Sequence, residues 1–141
     1  MTFFEKYGEP IDMDNRERYR HRALTNAYND PGPWMSVNII SDSRKRALKH
    51  GFDHNLDREY LVALYWEQKG KCAISGVEME FQSGTRECKN PNRLSIDRID
   101  NTKGYIKGNV RLVTHWVNNA KSTYGDDVLM EYSKKIAKKR R

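Results

Sequence analysis

The stretch SIDRIDNTKGYIKGNVRLVTHWVNNAKS, residues 95–122, decides the fold that this sequence predicts. LSID has the composition of a short strand, the segment NTKGYIKGN follows as a loop, and VRLV has the composition of a second strand. The segment THWVNNAKSTY then has the character of a helix. In a strand–loop–strand–helix arrangement, the end of the first strand can face the first turns of the helix. The sequence therefore predicts that Asp97 and Asn118 lie close together.

Asp97 and Asn118 would offer a carboxylate oxygen and an amide oxygen to one hard cation. With water and phosphate completing the shell, this donor set suits Mg²⁺, which keeps several waters and is rarely caged by protein alone. The alternative interpretation is that Asp97 and Asp100 are strand-end and turn acids that pair with Arg98. Taken without wider context, these residues favour the alternative.

Two helices are predicted upstream of this stretch. The first runs from Trp34 to His50 and ends at Gly51, a residue type that suits a left-handed C-cap. Its apolar side is expected to face the core, and its basic side is expected to face solvent. The apolar side comprises Val37, Ile40, Ala47 and Leu48, and the basic side comprises Arg44, Lys45, Arg46 and Lys49.

The second upstream helix lies in LDREYLVALYWEQKG, residues 56–70. Asp57 can act as its N-cap, Glu59 favours the first turn, and Lys69 and Gly70 end it. The residues with helical spacing on its predicted core side are Leu61, Leu64, Tyr65 and Gln68.

Three further elements complete the predicted organisation. A short helix is expected over about residues 14–28, capped by Asp12 or Asp14, before the breaker NDPGP. The segment CAISGVEMEF alternates like a strand and turns at SG, residues 75–76. A final amphipathic helix is expected over about residues 126–137. Helices that flank one short pair of strands predict the α+β class.

The composition points to a nucleic-acid partner in a reducing compartment. The chain has 141 residues, a formal net charge of +7 and an isoelectric point near 9.4, a surplus that favours a polyanionic partner. No apolar run approaches the roughly 20 residues of a membrane span, and the start lacks the apolar region of a signal peptide. Cys72 and Cys88 cannot form a disulfide framework. We therefore expect an intracellular, cytoplasmic protein that meets nucleic acid.

The order and spacing of several short motifs resemble the HNH endonucleases of the ββα-metal class, in their phage and restriction-enzyme branch. Members of this branch carry a DRID-type strand, a GY loop and a closing N-x-x-K helix. The resemblance covers roughly residues 44–124. The matching segments are CAISG at 72–76, SIDRID at 95–100, GY at 104–105, NVRLV at 109–113, and Asn118 with Lys121.

The resemblance implies a ββα-metal core in residues 44–141, with residues 1–43 as an N-terminal helical extension and a basic C-terminal helix at the end of the nuclease domain. It implies that Asp97 and Asn118 hold Mg²⁺ or Mn²⁺. Asn109 would be the middle residue of the family name, and we expect it to hold the loop through hydrogen bonds.

The chain departs from the family pattern at the position of the water-activating histidine, which is Arg98 here. Arginine stays protonated in proteins and cannot be a conventional base, although its fork can hold a phosphate and stabilise developing charge. The candidate replacements for the base are Asp100 and His115. General-base catalysis supplies roughly 10²–10⁴-fold, and some relatives with DR at this point are nucleases, so the departure does not exclude activity.

A second departure concerns zinc, because many relatives carry two CxxC knuckles. Cys72 is followed by Ser75 here, and two cysteines sixteen positions apart cannot make a tetrahedral site without other ligands. No structural zinc is therefore expected.

The resulting hypothesis is a metal-dependent endonuclease that hydrolyses phosphodiester bonds of double-stranded DNA, with a homodimer as one option and no membrane partner. The resemblance implies that it acts in the cytoplasm of a bacterial or phage-infected cell. A degenerate HNH fold that binds nucleic acid without cutting is the alternative, and a membrane-surface protein is a weaker third possibility. Restriction, homing and phage DNA-processing roles stay open. The expected DNA-binding residues are Arg44, Lys45, Arg46, Lys103, Lys107, Arg111 and Lys121.

Overall fold

The computed structural model describes residue 22 and residues 24–140, so most of the helix expected over 14–28, with its caps Asp12 and Asp14, lies outside the described part. Residues 24–29 are helical. The chain combines helices with a two-stranded antiparallel sheet, which confirms the α+β class. In chain order the elements are α1 (Gly32–Met35), a π-helical segment (Ser36–Ile40), α2 (Ser41–His50), α3 (Arg58–Glu67), β1 (Leu94–Arg98), β2 (Val110–Thr114), α4 (His115–Lys121) and α5 (Asp126–Arg140).

The helix expected from Trp34 to His50 forms as one continuous helical segment, residues 32–50, made of α1, the π-helical segment and α2. Gly51 ends it at φ +70° and ψ +28°, the left-handed cap that the sequence predicted. The predicted apolar side is half wrong, because Val37 and Leu48 are 71% and 87% exposed. In α2 the inward positions are Ser43 and Ala47, so Leu48, one position further along the same regular helix, faces solvent. The row that points inward is Met35, Ile39, Ser43 and Ala47.

The division expected between residues 43 and 44 falls inside this continuous segment. Met35 and Ile39 on one side and Ala47 on the other belong to the same buried cluster as the strands. The core of the described residues therefore gives no boundary at this point.

Helix α3 follows its prediction closely. Asp57 caps it by accepting a hydrogen bond from the backbone N–H of Tyr60 at 2.8 Å, while Leu61 and Tyr65 are buried. Gln68, just beyond the last turn, docks on the outer edge of β2. Its Nε2 donates to the carbonyl of Leu112 at 2.9 Å, and its Oε1 accepts from the N–H of Leu112 at 3.1 Å. An amide side chain thus satisfies backbone groups that a third strand would otherwise satisfy.

Strands β1 and β2 pair in the register that sets the candidate site. Leu94 faces Thr114 at one end, and Asp97 faces Arg111 near the other. The segment 72–81, expected to behave as a strand, forms only isolated bridges, such as the one between Glu80 and Arg93. Its turn is where the sequence placed it, with Gly76 at φ +73°.

Helix α4 begins directly after β2, without a connecting loop. Thr114, the last residue of β2, is its N-cap, because its hydroxyl accepts from the N–H of Val117 at 3.4 Å. Helix α5 extends to Arg140, three residues beyond the expected end. No helix in the described part of the chain is both long enough and apolar enough to cross a bilayer.

The left-handed cap at Gly51 gives a direct test of the fold. We expect Gly51→Ala to lower the free energy of unfolding by about 1 kcal/mol, because a Cβ at positive φ clashes with the backbone. Gly125→Ala is the matched control, since a Cβ there also meets nothing within 4 Å and its φ carries no such strain. Urea unfolding of both variants measures the difference, and equal stabilities would contradict the assigned cap.

Candidate metal and nucleic-acid site

Asp97 lies at the centre of a buried ion cluster formed by two strands and two helices. Lys121, whose side chain is 1% exposed, places its Nζ 3.0 Å from both carboxylate oxygens of Asp97 and 3.0 Å from the carbonyl oxygen of Arg98. Arg111 donates from Nε to Asp97 Oδ2 at 2.9 Å and from Nη2 to Asp126 Oδ1 at 2.6 Å. The four side chains carry two positive and two negative charges, so the cluster is neutral.

The geometry of this cluster follows from the register and from helix α4. Arg111 is the cross-strand partner of Asp97, and Lys121 comes from the last turn of the helix that leaves β2. Partial burial lowers the pKa of Arg111, but the hydrogen bonds to Asp126 and Asp97 outweigh it and raise that pKa overall. The hydrogen bond from Arg111 holds the pKa of Asp126 below its usual value. Each buried charge therefore has an opposite charge within contact, as burial requires.

Asn118 is anchored on β1 directly beside Asp97. Its Nδ2 donates to the hydroxyl of Ser95 at 2.9 Å and to the carbonyl oxygen of Ile96 at 3.3 Å. Its Oδ1 accepts no hydrogen bond from the described residues. Asn118 thus contacts β1 at the two residues that precede Asp97, whereas a cation shared by Asn118 and Asp97 stays a prediction.

Asn109 closes the loop between the strands, as the sequence predicted. Its Nδ2 donates to the carbonyl oxygens of Gly104 at 2.9 Å and Asp100 at 3.1 Å, and its Oδ1 accepts from the N–H of Asp100 at 2.9 Å. Gly104 lies so close to the backbone of Asp53 that a Cβ there would collide with it. The loop is therefore fixed at both ends, and Asn109 has a structural role beside Asp97.

Arg98 is committed to the same loop and does not project as a free phosphate ligand. Its Nη1 donates to the carbonyl oxygens of Asn101 and Lys103, each at 3.0 Å. Its guanidinium lies 4.4 Å from the ring centre of Phe52 and 5.3 Å from that of Tyr105, within cation–π distance. In this arrangement Arg98 ties the loop to the hydrophobic core through Nη1 and its cation–π contacts, and its expected phosphate contact stays a prediction.

The two candidate bases lie at opposite ends of β1. Asp100 Oδ1 accepts from the N–H and hydroxyl of Thr102, and these hydrogen bonds lower its pKa, which makes it a weaker base. His115 donates its backbone N–H to Arg93, four residues before Asp97, which is about 13 Å along a strand. This position does not support His115 as a base for chemistry at Asp97, and Asp100 is the nearer candidate.

The expected DNA-binding residues divide into two groups. Arg44, Lys45, Arg46 and Lys103 are exposed, and Lys107 is exposed but pairs with Asp57 at 2.8 Å. Arg111 and Lys121 bond instead to the carboxylates of the ion cluster, so DNA contact by these two residues stays a prediction that their pairing does not favour. The sequence contained part of this signal, since antiparallel pairing of LSIDR with VRLVT sets Asp97 opposite Arg111.

Among residues 22 and 24–140, no three side chains of His, Cys, Asp or Glu are grouped closely enough to hold a metal ion on their own. Cys72 is buried and Cys88 is exposed. Burial raises the pKa of Cys72, but hydrogen bonds, chiefly with Ser75, outweigh this and lower it overall. A hard cation here would therefore need an amide, water or substrate oxygen in its shell.

Comparison with known proteins gives one distant relative. A protein of Enterobacteria phage T4, named as an uncharacterized 29.0 kDa protein in the dda-modA intergenic region, is 33% identical over 92 residues. The aligned part is 65% of this chain and 34% of that protein, so the chain spans about a third of the length of this relative. No protein-family model and no solved structure matches the chain.

The buried Lys121–Asp97 pair can be tested by removing the ammonium group. We expect Lys121→Met to lower the free energy of unfolding by about 3–5 kcal/mol, because a buried carboxylate loses its main partner. Lys135→Met is the control, since it removes a lysine from an exposed pair with Glu131 that is worth no more than about 0.5 kcal/mol. Guanidinium unfolding of both variants gives the two values, and a Lys121→Met loss as small as that of the control would contradict the cluster.

The pairing of Asp126 with Arg111 predicts a specific acid dependence. Because the folded-state pKa of Asp126 lies below its usual value, the stabilisation is present above about pH 4, the unfolded value, and is lost as pH falls through the folded value. We expect Asp126→Asn to be less stable than wild type at pH 7, with the difference shrinking below about pH 4. Asp127→Asn, from the same helix start, makes no ion pair with the described residues and is the control. A difference that stays constant from pH 7 to 2.5 in thermal unfolding would contradict this pairing.

Proposed function

We propose that this chain is a metal-dependent DNA endonuclease of the HNH type, in which β1, β2 and α4 form the ββα-metal core. The observation that carries the proposal is the anchoring of Asn118. Its Nδ2 is fixed on Ser95 and Ile96, the two residues before Asp97, and its Oδ1 is left without a partner among the described residues. An amide oxygen held beside a buried carboxylate is a donor pair suited to a hard divalent cation.

The residues present fit such a cation in type and number. An ionised carboxylate has about four acceptor positions. Lys121 takes one on each oxygen of Asp97, and Arg111 takes a second on Oδ2, which leaves one on Oδ1. Asp97 and Asn118 would hold Mg²⁺ or Mn²⁺, which keeps several waters and so needs few protein ligands. The cation supplies Lewis acidity at a phosphoryl oxygen.

The chain's own residues position and charge this site. Lys121 and Arg111 donate hydrogen bonds to the two carboxylate oxygens of Asp97 and so fix their orientation. Asn109 and Arg98 hold the loop that follows Asp97, so the nearer candidate base, Asp100, keeps a fixed backbone position. In the hydrolysis, a water oxygen forms a bond to phosphorus, the bond to the 3′ oxygen breaks, and the water's proton passes to a base. One site of this kind cuts one strand, so cutting both strands of a duplex would need a homodimer.

A second candidate function is nucleic-acid binding without cleavage, on a degenerate core of the same type. This function is favoured by the hydrogen bonds of Asp97, because both of its carboxylate oxygens already bond to Lys121 or Arg111. The place of the family's histidine is also taken by Arg98, which is bonded to its own loop. In this function the exposed basic residues would bind DNA, and the ion cluster would serve stability alone.

The two functions are separated by a nicking assay on supercoiled plasmid with Mg²⁺ or Mn²⁺. We expect metal-dependent nicking by the wild type, abolished by EDTA and reduced at least about 10²-fold by Asn118→Ala, since loss even of an indirect metal partner costs 10–100-fold. Asn119→Ala is the matched control, because it changes the same side chain at the next, exposed position of α4.

Two outcomes would count against cleavage at this site. Equal nicking rates for Asn118→Ala and Asn119→Ala, at equal stability, would show that Asn118 is not a metal ligand. Wild-type protein that binds DNA but cuts with no divalent cation would establish the binding function instead.

A further inference from the structure

A second polar feature lies at the other end of β1, outside the candidate metal site. It is a pocket of about 350 Å³ between the loop of residues 83–90 and the start of α4. Four basic groups line it, and no acidic residue of the described chain does. These four are Arg86, Lys89, Arg93 and His115, and we refer to the space as the basic pocket.

Arg93 is the group in the basic pocket that most needs a partner. Its guanidinium lies 5.2 Å from the ring centre of Trp34, and its Nε is buried without any hydrogen-bond partner. Burial, followed by repulsion from Arg46, lowers the pKa of Arg93 against the opposing attraction of Asp42. No carboxylate of the described residues lies within ion-pairing distance of it. A half-buried cation with an orphaned donor is stabilised by an anion that brings acceptor oxygens.

The loop that closes the basic pocket is folded on itself. The N–H of Asn90 donates to the carbonyl oxygen of Ser83 at 3.1 Å, and the N–H of Thr85 donates to that of Cys88 at 2.9 Å. Gly84 has φ +78°, and a Cβ there would collide with the backbone of residues 88–90. Lys89 is therefore carried by a fixed turn, with the hydroxyls of Ser83 and Thr85 at the same wall.

We propose that the basic pocket binds a backbone phosphate of the nucleic acid that the candidate metal site would cut. The inference rests on the proposed function for its choice of ligand. Arg93 and Lys89 supply the charge, and Arg86 adds a third positive group to the lining. The hydroxyl of Ser83 supplies a further donor, whereas that of Thr85 already bonds to Cys88. The pocket lies about 13 Å from Asp97 along β1, which is about four nucleotides of rise at 3.4 Å each. It would therefore hold the strand at a distance from the reacting phosphate and set its direction across the sheet.

His115 lies in the basic pocket with Lys89 and Arg93, so its pKa responds to the charge that the pocket holds. Burial, followed by the charges of Lys89 and Arg93, lowers the pKa of His115. A phosphate between these groups would offset the repulsion and raise that pKa. This histidine is thus a reporter of occupancy that does not depend on cleavage.

The first test measures binding of a short DNA duplex in EDTA, where no cutting occurs, over a range of salt concentrations. We expect Lys89→Gln to reduce the slope of log affinity against log salt by about 0.9, the value for one lost phosphate contact, and Arg86→Gln with Lys89→Gln to reduce it by about 1.8. Lys71→Gln is the control, since it removes the same charge from an exposed position outside the pocket. Equal slopes for Lys89→Gln and Lys71→Gln would overturn the proposal.

The second test uses inorganic phosphate and the imidazole resonances of His115, followed by NMR. Phosphate is expected to raise the pKa of His115 in the wild type and in Lys71→Gln, and to have a much smaller effect in Lys89→Gln. The same pKa change of His115 in all three proteins, or no change in the wild type, would overturn the proposal that the basic pocket binds phosphate.

The two proposals can fail separately. Metal-dependent nicking, together with equal salt slopes for Lys89→Gln and Lys71→Gln, would support the nuclease proposal and contradict phosphate binding in the basic pocket. A phosphate-induced pKa change of His115 that depends on Lys89, without any nicking, would support phosphate binding in the basic pocket and contradict the nuclease proposal.

Discussion

The contact between Lys121 and Asp97 is the constraint on which the arrangement of β1, β2, α4 and α5 depends. It joins the last turn of α4 to the end of β1, while Arg111 extends the same cluster to the start of α5 through Asp126. Two strands alone make a marginal sheet in water. Here Gln68 bonds to the edge of β2. The ion cluster fixes the ends of the strands near Asp97 and Arg111, because separating these charges would leave a buried charge unpaired. The ion cluster therefore specifies where α4 lies, and with it where Asn118 points.

The order of elements could be predicted because each follows a local rule. Asp57 caps α3, Gly51 ends α2, and the short β-rich runs around Asp97 and Arg111 form the strands. Asn109 was also foreseeable as the residue that holds the loop, although only through the family resemblance. These features depend on residues that are close in sequence or on the register of one hairpin, and a single sequence is enough to predict both.

Other features depended on contacts that no local pattern contains. Lysine is among the residues least often buried, so the sequence alone indicates that Lys121 is exposed. Its burial depends on the hydrogen bond to Asp97, which lies twenty-four positions earlier in the chain. Val37 and Leu48 face solvent because the inward row of this helical segment consists of Met35, Ile39, Ser43 and Ala47, and apolar spacing alone did not identify that row. The contacts of Arg98 with Phe52 and with the loop carbonyls join residues that are distant along the chain or lie in a loop, so no pattern in the sequence indicates them.

The same burial changes what the net charge of +7 means for a polyanionic partner. Arg111 and Lys121 are neutralised inside the protein, and Lys107 is paired with Asp57, so none of the three offers a free charge. The remaining basic groups lie on the outer face of α2, in the basic pocket, on Lys103 and along the last turns of α5. These regions occupy different elements around one short sheet, so a strand that touches several of them must cross it. Affinity for a polyanion would thus depend less on the total charge than on how many of these separate regions one strand can contact at once.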